Sequence, residues 1–531
     1  MTELSASGCR GVVAAPHSLA VEAGRGVLAE GGNALEAALA AAAAIVPAYP
    51  HMNHIGGDGF WIVRESSGRI RYIEACGFAG AKATRALYAE HGYKTVPARG
   101  PLAALTVPGA VGGWMLALEV AKAAGGKMPL SRLLEPALAI ARKGSPVSRS
   151  LSWRLAYERA ADIAAPGFAE YFLVDGKPPK EGTLLATGRL AATFEQLARA
   201  GLDDFYRGEV GREIAADLER IGSPVTRADL ARYRAVLREP LAIKLKEGTV
   251  YTSQPPTQGL ATLLILGIFE RLGPAAAESF AWVHGILEAT KRAFKIRDRI
   301  VTDFDRLKEG PAASLTPAAI EAESRAIDPR KAAPWPERAK KGDTIWLGVA
   351  DASGLAVSYI QSLFWEFGSG CVLPATGIVM QNRGSSFSLD PKALNTLEPG
   401  RRPFHTLCPA LAVLDDGRIL SFGTMGGEGQ PQTLATLYTR HVTYKVPLAE
   451  AIDRPRWLLG RTWGTEITNV RIESRFPESL IAALKGAGHD IQVLPEAYYE
   501  IMGHAGGVSI GRKGEIEGAH DPRGDGGAAG A

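Results

Sequence analysis

Cysteine is scarce in this chain, with four residues in 531, at Cys9, Cys76, Cys371 and Cys408. They lie far apart, with no Cys-x-x-Cys pair and no zinc-like cluster, so a disulfide framework is not the organising principle and reduced, mostly buried thiols are expected. Net charge is nearly absent too, since 60 Lys and Arg against 56 Asp and Glu leave +4. The basic residues are dispersed, with no stripe interleaved with aromatics, and no nucleic-acid partner is expected. Long hydrophobic runs are missing. The most apolar stretch, Ala37–Val46, is too short to cross a bilayer and is flanked by Glu36 and Pro47, so no membrane partner is expected. The first residues lack a basic stretch followed by an apolar one, so no signal peptide is visible and a cytoplasmic location is expected.

What is present is the composition of an ordinary globular protein, 46% hydrophobic and 22% charged, which suffices for a large core. Helical periodicity marks Leu35–Ile45, with Asn33 as N-cap and Pro47 as stop, then Val111–Ala124 and Leu134–Arg142. Strand patterns mark Phe60–Arg64 and Ile70–Glu74. From about Ser150 to Leu307 the chain reads as largely helical, with candidates at Phe194–Ala200, Val210–Ile221 and Phe280–Arg297. The stretch Glu309–Lys341, rich in Pro, Ala and charge, predicts a mobile connection. Beyond it the chain turns strand-rich until about Gly427, and the Gly/Ala tail from Gly524 to Ala531 is expected to fray.

Thr344 opens the first strand of that region. Thr344–Asp351 alternates, with Ile345, Leu347 and Val349 on one face, and Leu355–Ser362 reads as the returning strand after an Ala-Ser-Gly turn. A hydroxyl at the mouth of an inner strand would become a nucleophile if the chain were cut between Asp343 and Thr344, because the freed α-amine would sit beside it as a base. That amine titrates near pH 8 in model compounds, so part of it is neutral at cellular pH. Further on, the glycine-dense run Thr424–Pro431 is suited to turning backbone N–H groups toward a developing negative charge. Two other features are set aside: His51 and His54 with Asp58 are too loosely spaced for a metal and are expected to brace the Gly56-Gly57 turn, and Arg297–Asp305 is expected to be a solvated or salt-bridged face.

An ordered series of short motifs runs along the chain: Gly11–His17, Gly31–Ala37, Ile55-Gly-Gly-Asp-Gly-Phe60, Val107-Pro-Gly109 and Pro255-Pro-Thr-Gln-Gly259. It continues through Gly342-Asp-Thr344, Phe367-Gly-Ser-Gly370, Thr376-Gly-Ile378, Asn382 and Gly426-Gly427. On these motifs the sequence resembles the γ-glutamyltranspeptidase family of N-terminal-nucleophile hydrolases over nearly its whole length. The resemblance implies an α+β fold, a four-layer αββα sandwich. It implies self-cleavage into a large chain 1–343 and a small chain 344–531, held in one globular unit as a heterodimer. It also implies Thr344 as nucleophile, Ser362 as a second hydroxyl contacting it, Gly426 and Gly427 as the oxyanion hole, and neither metal nor cofactor.

The family pattern breaks at the groups that grip a γ-glutamyl donor. Cys76 stands where the family has a carboxylate-binding Arg, Phe364 replaces an Asn, Ser386 falls on an Asp, and His405-Thr406 replaces a Ser pair. Each lost charge-assisted contact is worth about 1.5–3 kcal/mol. The chemistry is therefore expected to persist on another small-molecule amide, and the branch of the family with such substitutions points to oxamate, hydrolysed to oxalate and ammonia in bacterial purine breakdown. Arg383 is the candidate clamp for its carboxylate, with Phe364, His405 and Thr406 lining the pocket. The alternatives are a γ-glutamyl hydrolase or transferase, a β-lactam side-chain acylase, and a non-catalytic binding protein on the same fold.

Overall fold

The computed structural model describes residues 3–157, 163–335, 343–460 and 468–531. Two antiparallel seven-stranded sheets face each other. The first runs in the order Gly527–Gly530, Gly11–Ala15, Asp343–Asp351, Ala356–Phe364, Asp58–Arg64, Ile70–Ala75, Val236–Arg238. The second runs Ser5–Gly8, Ile516–His520, Ala505–Ile510, Ile419–Thr424, Ala410–Leu414, Gly248–Thr252, Leu241–Lys244. Both sheets mix strands from before and after Thr344.

Side-chain alternation explains why there are four layers. Val13 and Ala15 face outward from the first sheet with Ile345, Leu347 and Val349, into a core shared with the helices Ser18–Ala29, Ala34–Ala48 and Ala110–Ala123. Val12, Ala14, Trp346 and Ala350 face the other way, onto Leu411, Val508 and Ile510 of the second sheet. The outer face of that sheet packs on the helices Gly259–Arg271, Phe280–Ile300 and Gln430–Tyr438. The result is the expected αββα sandwich. The helix Ala34–Ala48 is buried along its whole length and begins with a capping box between Asn33 and Glu36. Pro47 lies inside its last turn rather than beyond it.

One side chain sets the register between the sheets. The Trp346 indole fills a slot left by glycines: a Cβ on Gly423 would lie 2.0 Å from its ring, one on Gly506 2.4 Å and one on Gly348 2.6 Å. Its Nε1 donates to Ser358 Oγ at 2.9 Å on the neighbouring strand.

Three expectations need correction. The tail does not fray: Gly527–Gly530 pairs with Gly11–Ala15, and Ala531 exchanges backbone hydrogen bonds with Arg10 and Gly11. Its small residues are what permit this, since a Cβ on Gly530 would sit 2.0 Å from Ser7 O. The stretch Glu309–Lys341 contains a helix, Pro317–Arg325, capped by Thr316 with Pro at its first turn. Ile320 docks it beside Gly267, and residues 336–341 of that stretch lie outside the described residues. Finally, the largely helical middle carries Leu241–Lys244 and Gly248–Thr252, strands too short for periodicity to reveal.

Gly423→Ala should lower stability by about 1–3 kcal/mol, the usual cost of overpacking. A rigid indole cannot yield to the new methyl. Urea unfolding of the variant against wild type measures it, with a reduced midpoint at constant slope expected.

Candidate active site

The two strands that stack on Trp346 run in opposite directions. Gly348 lies against Ser421 and Trp346 against Gly423, so Thr344, two residues further back, lies level with Met425 and the glycines that follow it. The nucleophile candidate and the glycine loop thus meet at one end of the space between the sheets.

Thr344 sits at an irregularity in the ladder, where pairing shifts between Asp343↔Phe364 and Ile345↔Gln361. It is buried, and its Oγ1 donates to Ser362 Oγ at 3.2 Å. Ser362 Oγ also accepts from the N–H of Phe364 at 2.8 Å. Phe364 itself has φ +83°, a left-handed conformation that a bulky residue adopts only under constraint. This strained residue carries Arg383, whose guanidinium lies 3.9 Å from the centre of the Phe364 ring.

Arg383 opens a short 3-10 turn, Arg383–Ser386, and is fully buried. Its Nη1 donates to Thr406 Oγ1 at 3.3 Å, while Nε and Nη2 have no hydrogen-bond partner among the described residues. Burial pushes it down to about 9, with Asp58 and Cys76 opposing that shift. It therefore stays a cation at neutral pH, with two donors unused. Ser386 braces the opposite segment through Oγ to Phe404 O at 3.0 Å. Cys76 is buried at the end of the Ile70–Ala75 strand, its thiol held well above the usual range by burial and by the acids Glu74 and Asp58.

Asp58 is the residue that sequence reasoning missed. It pairs directly across from Ser362 and so shares its face. Asp58 Oδ1 accepts from Gly77 N and Gly109 N, both at 3.0 Å, and from Gln381 Nε2 at 3.1 Å. Its Oδ2 lies 3.5 Å from His405 Nε2, too long for a good hydrogen bond. Burial raises Asp58 to about 7, while burial and the charge of Arg383 keep His405 well below its usual value and neutral. The signal was the Asp within Gly-Gly-Asp-Gly, which had been grouped with two histidines that go elsewhere. His51 Nε2 contacts Ser150 Oγ at 3.1 Å, and His54 Nδ1 accepts from Val379 N at 3.2 Å. Only the His54 carbonyl braces the glycine turn, accepting from Gly57 N at 3.0 Å.

The glycine loop follows the strand Ile419–Thr424. Gly426 and Gly427 both have positive φ, +120° and +53°, where a Cβ is disfavoured. Their carbonyls are taken by Gly429 N at 2.8 Å and Gln258 Nε2 at 2.8 Å. Among the described residues no acceptor takes either N–H. Gln258 Nε2 also donates to Thr406 O at 2.6 Å, tying the loop to the His405-Thr406 segment. Arg297 in turn holds Gln258 Oε1 at 3.0 Å and Glu428 Oε1 at 2.9 Å. The Arg297–Asp305 stretch is salt-bridged as expected, but Arg297 and Asp303 are buried rather than solvated.

The structure therefore gathers Thr344, Ser362, Phe364, Arg383, His405, Thr406, Gly426 and Gly427 into one buried cluster. The Asp343 side chain lies outside the described residues. Among the described residues one buried group of metal-ligand types occurs elsewhere, His284, Glu288 and His489. Its members bond one another and their neighbours, His284 with His489 at 2.9 Å and with Asp328 O at 2.8 Å, and Glu288 with Lys291 at 2.6 Å.

Comparison with known proteins gives these arrangements a lineage. The sequence model of the family described as Gamma-glutamyltranspeptidase matches residues 20–531. The chain is 48% identical over 521 residues to an oxamate amidohydrolase proenzyme of Klebsiella pneumoniae, covering 98% of each. It is 36% identical to a glutathione hydrolase-like proenzyme, YwrD, of Bacillus subtilis, covering 99% of each. Among solved structures, the cephalosporin acylase of Bacillus halodurans superposes with a TM-score of 0.90 at 32% identity, covering 99% of this chain and 96% of that one. The chain belongs to the gamma-glutamyltranspeptidase family.

Proposed function

We propose that this chain is the precursor of an amidohydrolase that cuts itself between Asp343 and Thr344 and then converts oxamate and water to oxalate and ammonia. The observation that carries the reading is Arg383, a buried cation with two unused donors among the described residues, stacked on the ring of Phe364, whose N–H binds Ser362, the partner of Thr344. A buried charge that forms no ion pair among the described residues is costly, and a substrate carboxylate would supply a partner. The likeness to the Klebsiella proenzyme supports the same substrate. A γ-glutamyl donor would find Cys76 and Ser386 where it needs an Arg and an Asp, and neither side chain carries the required charge.

In this mechanism Thr344 Oγ attacks the amide carbon and its proton passes to the α-amine, Ser362 orienting the hydroxyl. The carbonyl oxygen becomes an oxyanion facing the N–H groups of Gly426 and Gly427. Collapse breaks the C–N bond, the protonated α-amine returns the proton to the leaving nitrogen, and ammonia departs. Water, deprotonated by the same amine, then attacks the Thr344 ester; the acyl C–Oγ bond breaks, the amine's proton returns to Thr344 Oγ, and oxalate is released. The two chains remain together as a heterodimer because each sheet is built from both.

Intact mass spectrometry of the purified protein should show two chains, the smaller beginning at Thr344. Thr344→Ala should give one uncut chain, and a single inactive wild-type species would sink the mechanism.

Gly427→Ala, provided that it is folded and cut, should lose about 10²–10³ in turnover, the typical effect of disturbing an oxyanion donor. Normal kcat in such a variant would reassign the loop.

Ammonia release from oxamate should greatly exceed turnover of γ-glutamyl-p-nitroanilide. Arg383→Ala should weaken oxamate binding by about 1.5–3 kcal/mol, read as a higher KM. Unchanged KM would remove Arg383 from the site.

A further inference from the structure

Asp58 holds its two oxygens in different environments. Oδ1 takes three N–H donors from three separate segments, at Gly77, Gly109 and Gln381, and such an oxygen has no room for a proton. Oδ2 is buried, has no hydrogen-bond partner among the described residues, and lies at 3.5 Å from His405 Nε2. Any proton on this carboxyl therefore sits on Oδ2. The register places Asp58 directly opposite Ser362, whose Oγ receives the Thr344 hydroxyl. The adjoining unused donors are Arg383 Nε and Nη2. An ionised Asp58 would set a second negative charge against an anionic substrate in a closed site, whereas a neutral acid would offer it a donor.

We infer that Asp58 is a specificity-determining residue that meets the substrate carboxylate as a neutral acid, anchored through Oδ1 and donating its Oδ2 proton while Arg383 takes the opposite carboxylate oxygen. The inference rests on the amidohydrolase reading above and adds a second, pH-dependent clamp to it. Burial raises Asp58 to about 7 against the opposing pull of its hydrogen bonds and of Arg383, so the neutral acid prevails below about pH 7 and is half-populated at it. The sign follows: below about pH 7 the acid is a donor, and above it the carboxylate repels the substrate.

The other titratable groups facing Asp58 do not change charge over the same interval. His405 is held neutral, the Cys76 thiol and the phenols of Tyr206, Tyr233 and Tyr359 are pushed upward by burial, and Arg383 is lowered only to about 9. The free α-amine of Thr344 titrates nearby but governs turnover, so KM and ligand binding are the informative readouts.

The test compares KM for oxamate at about pH 6 and about pH 8 in the mature enzyme. Wild type should show a rise of about tenfold, the change for one pH unit above a titration midpoint. In Asp58→Asn the amide offers an N–H at both pH values, and the ratio should fall to about one whatever the absolute turnover. Neutral oxamide should show no such rise in wild type. The same ratio is read without catalysis from the oxamate-induced increase in thermal midpoint. A protein without oxamate turnover whose oxamate stabilisation is still pH-dependent, and is flattened by D58N, overturns the substrate reading and upholds the role of Asp58. Turnover of oxamate with a flat wild-type ratio, or an undiminished ratio in D58N, overturns the role of Asp58 and leaves the substrate reading standing.

Discussion

The contact on which the site depends is the Trp346 indole seated between the two sheets. Sheets held only by generic apolar side chains could slide past one another by a residue with little loss of buried area. A bicyclic ring seated against Gly423 and Gly506 of the facing sheet resists this, because its fit requires residues without a Cβ at those two places. The consequence reaches two residues further along each strand, to Thr344 on one side and to Met425 and the Gly426-Gly427 turn on the other. The acyl-transfer site proposed above requires its nucleophile and oxyanion donors to be fixed relative to each other, and Thr344 and the glycine turn lie on strands of different sheets.

The glycine turn needs its own support, since two residues of positive φ in succession have little intrinsic preference for one conformation. Gln258 supplies it by donating at once to Gly427 O and Thr406 O. Arg297 fixes the Gln258 amide and bridges to Glu428 on the same turn. A buried ion pair contributes little to stability but specifies geometry when every group is satisfied. Here it holds Gly427 O inward through Gln258, and the N–H groups of Gly426 and Gly427 meet no acceptor among the described residues.

Around this frame the polar groups of the site are satisfied unevenly. Among the described residues Asp58 Oδ1 has three donors and Oδ2 none, while Arg383 has one acceptor and two idle donor atoms. Buried polar atoms are normally paired, and these two are oppositely charged types that interact across the same space. The strained backbone of Phe364 fits that picture, since it presents the aromatic ring on which the guanidinium rests.

The alternation of Thr344–Asp351 and Leu355–Ser362, the Asn33 cap and the helix periods were legible in the sequence, because each depends on neighbours a few residues away. The ordered motifs likewise carried the family, and the roles proposed for Thr344, Ser362, Gly426 and Gly427 follow from that resemblance. Other features were not legible, and for one physical reason: they arise from residues far apart in the chain. The ordered Gly/Ala tail is a strand only because Gly11–Ala15 offers it an edge. Arg297 is buried only because Gln258 and Glu428 enclose it. Asp58 comes beside the Thr344–Ser362 pair only through its register with Ser362 and is held by the backbone donors of Gly77 and Gly109. The sequence by itself thus determined which residue types were available, a threonine at a strand mouth and a glycine-dense turn. Tertiary structure alone decided which charged groups lie buried near them, because burial and long-range hydrogen bonding, not residue type, set their protonation and their hydrogen bonding.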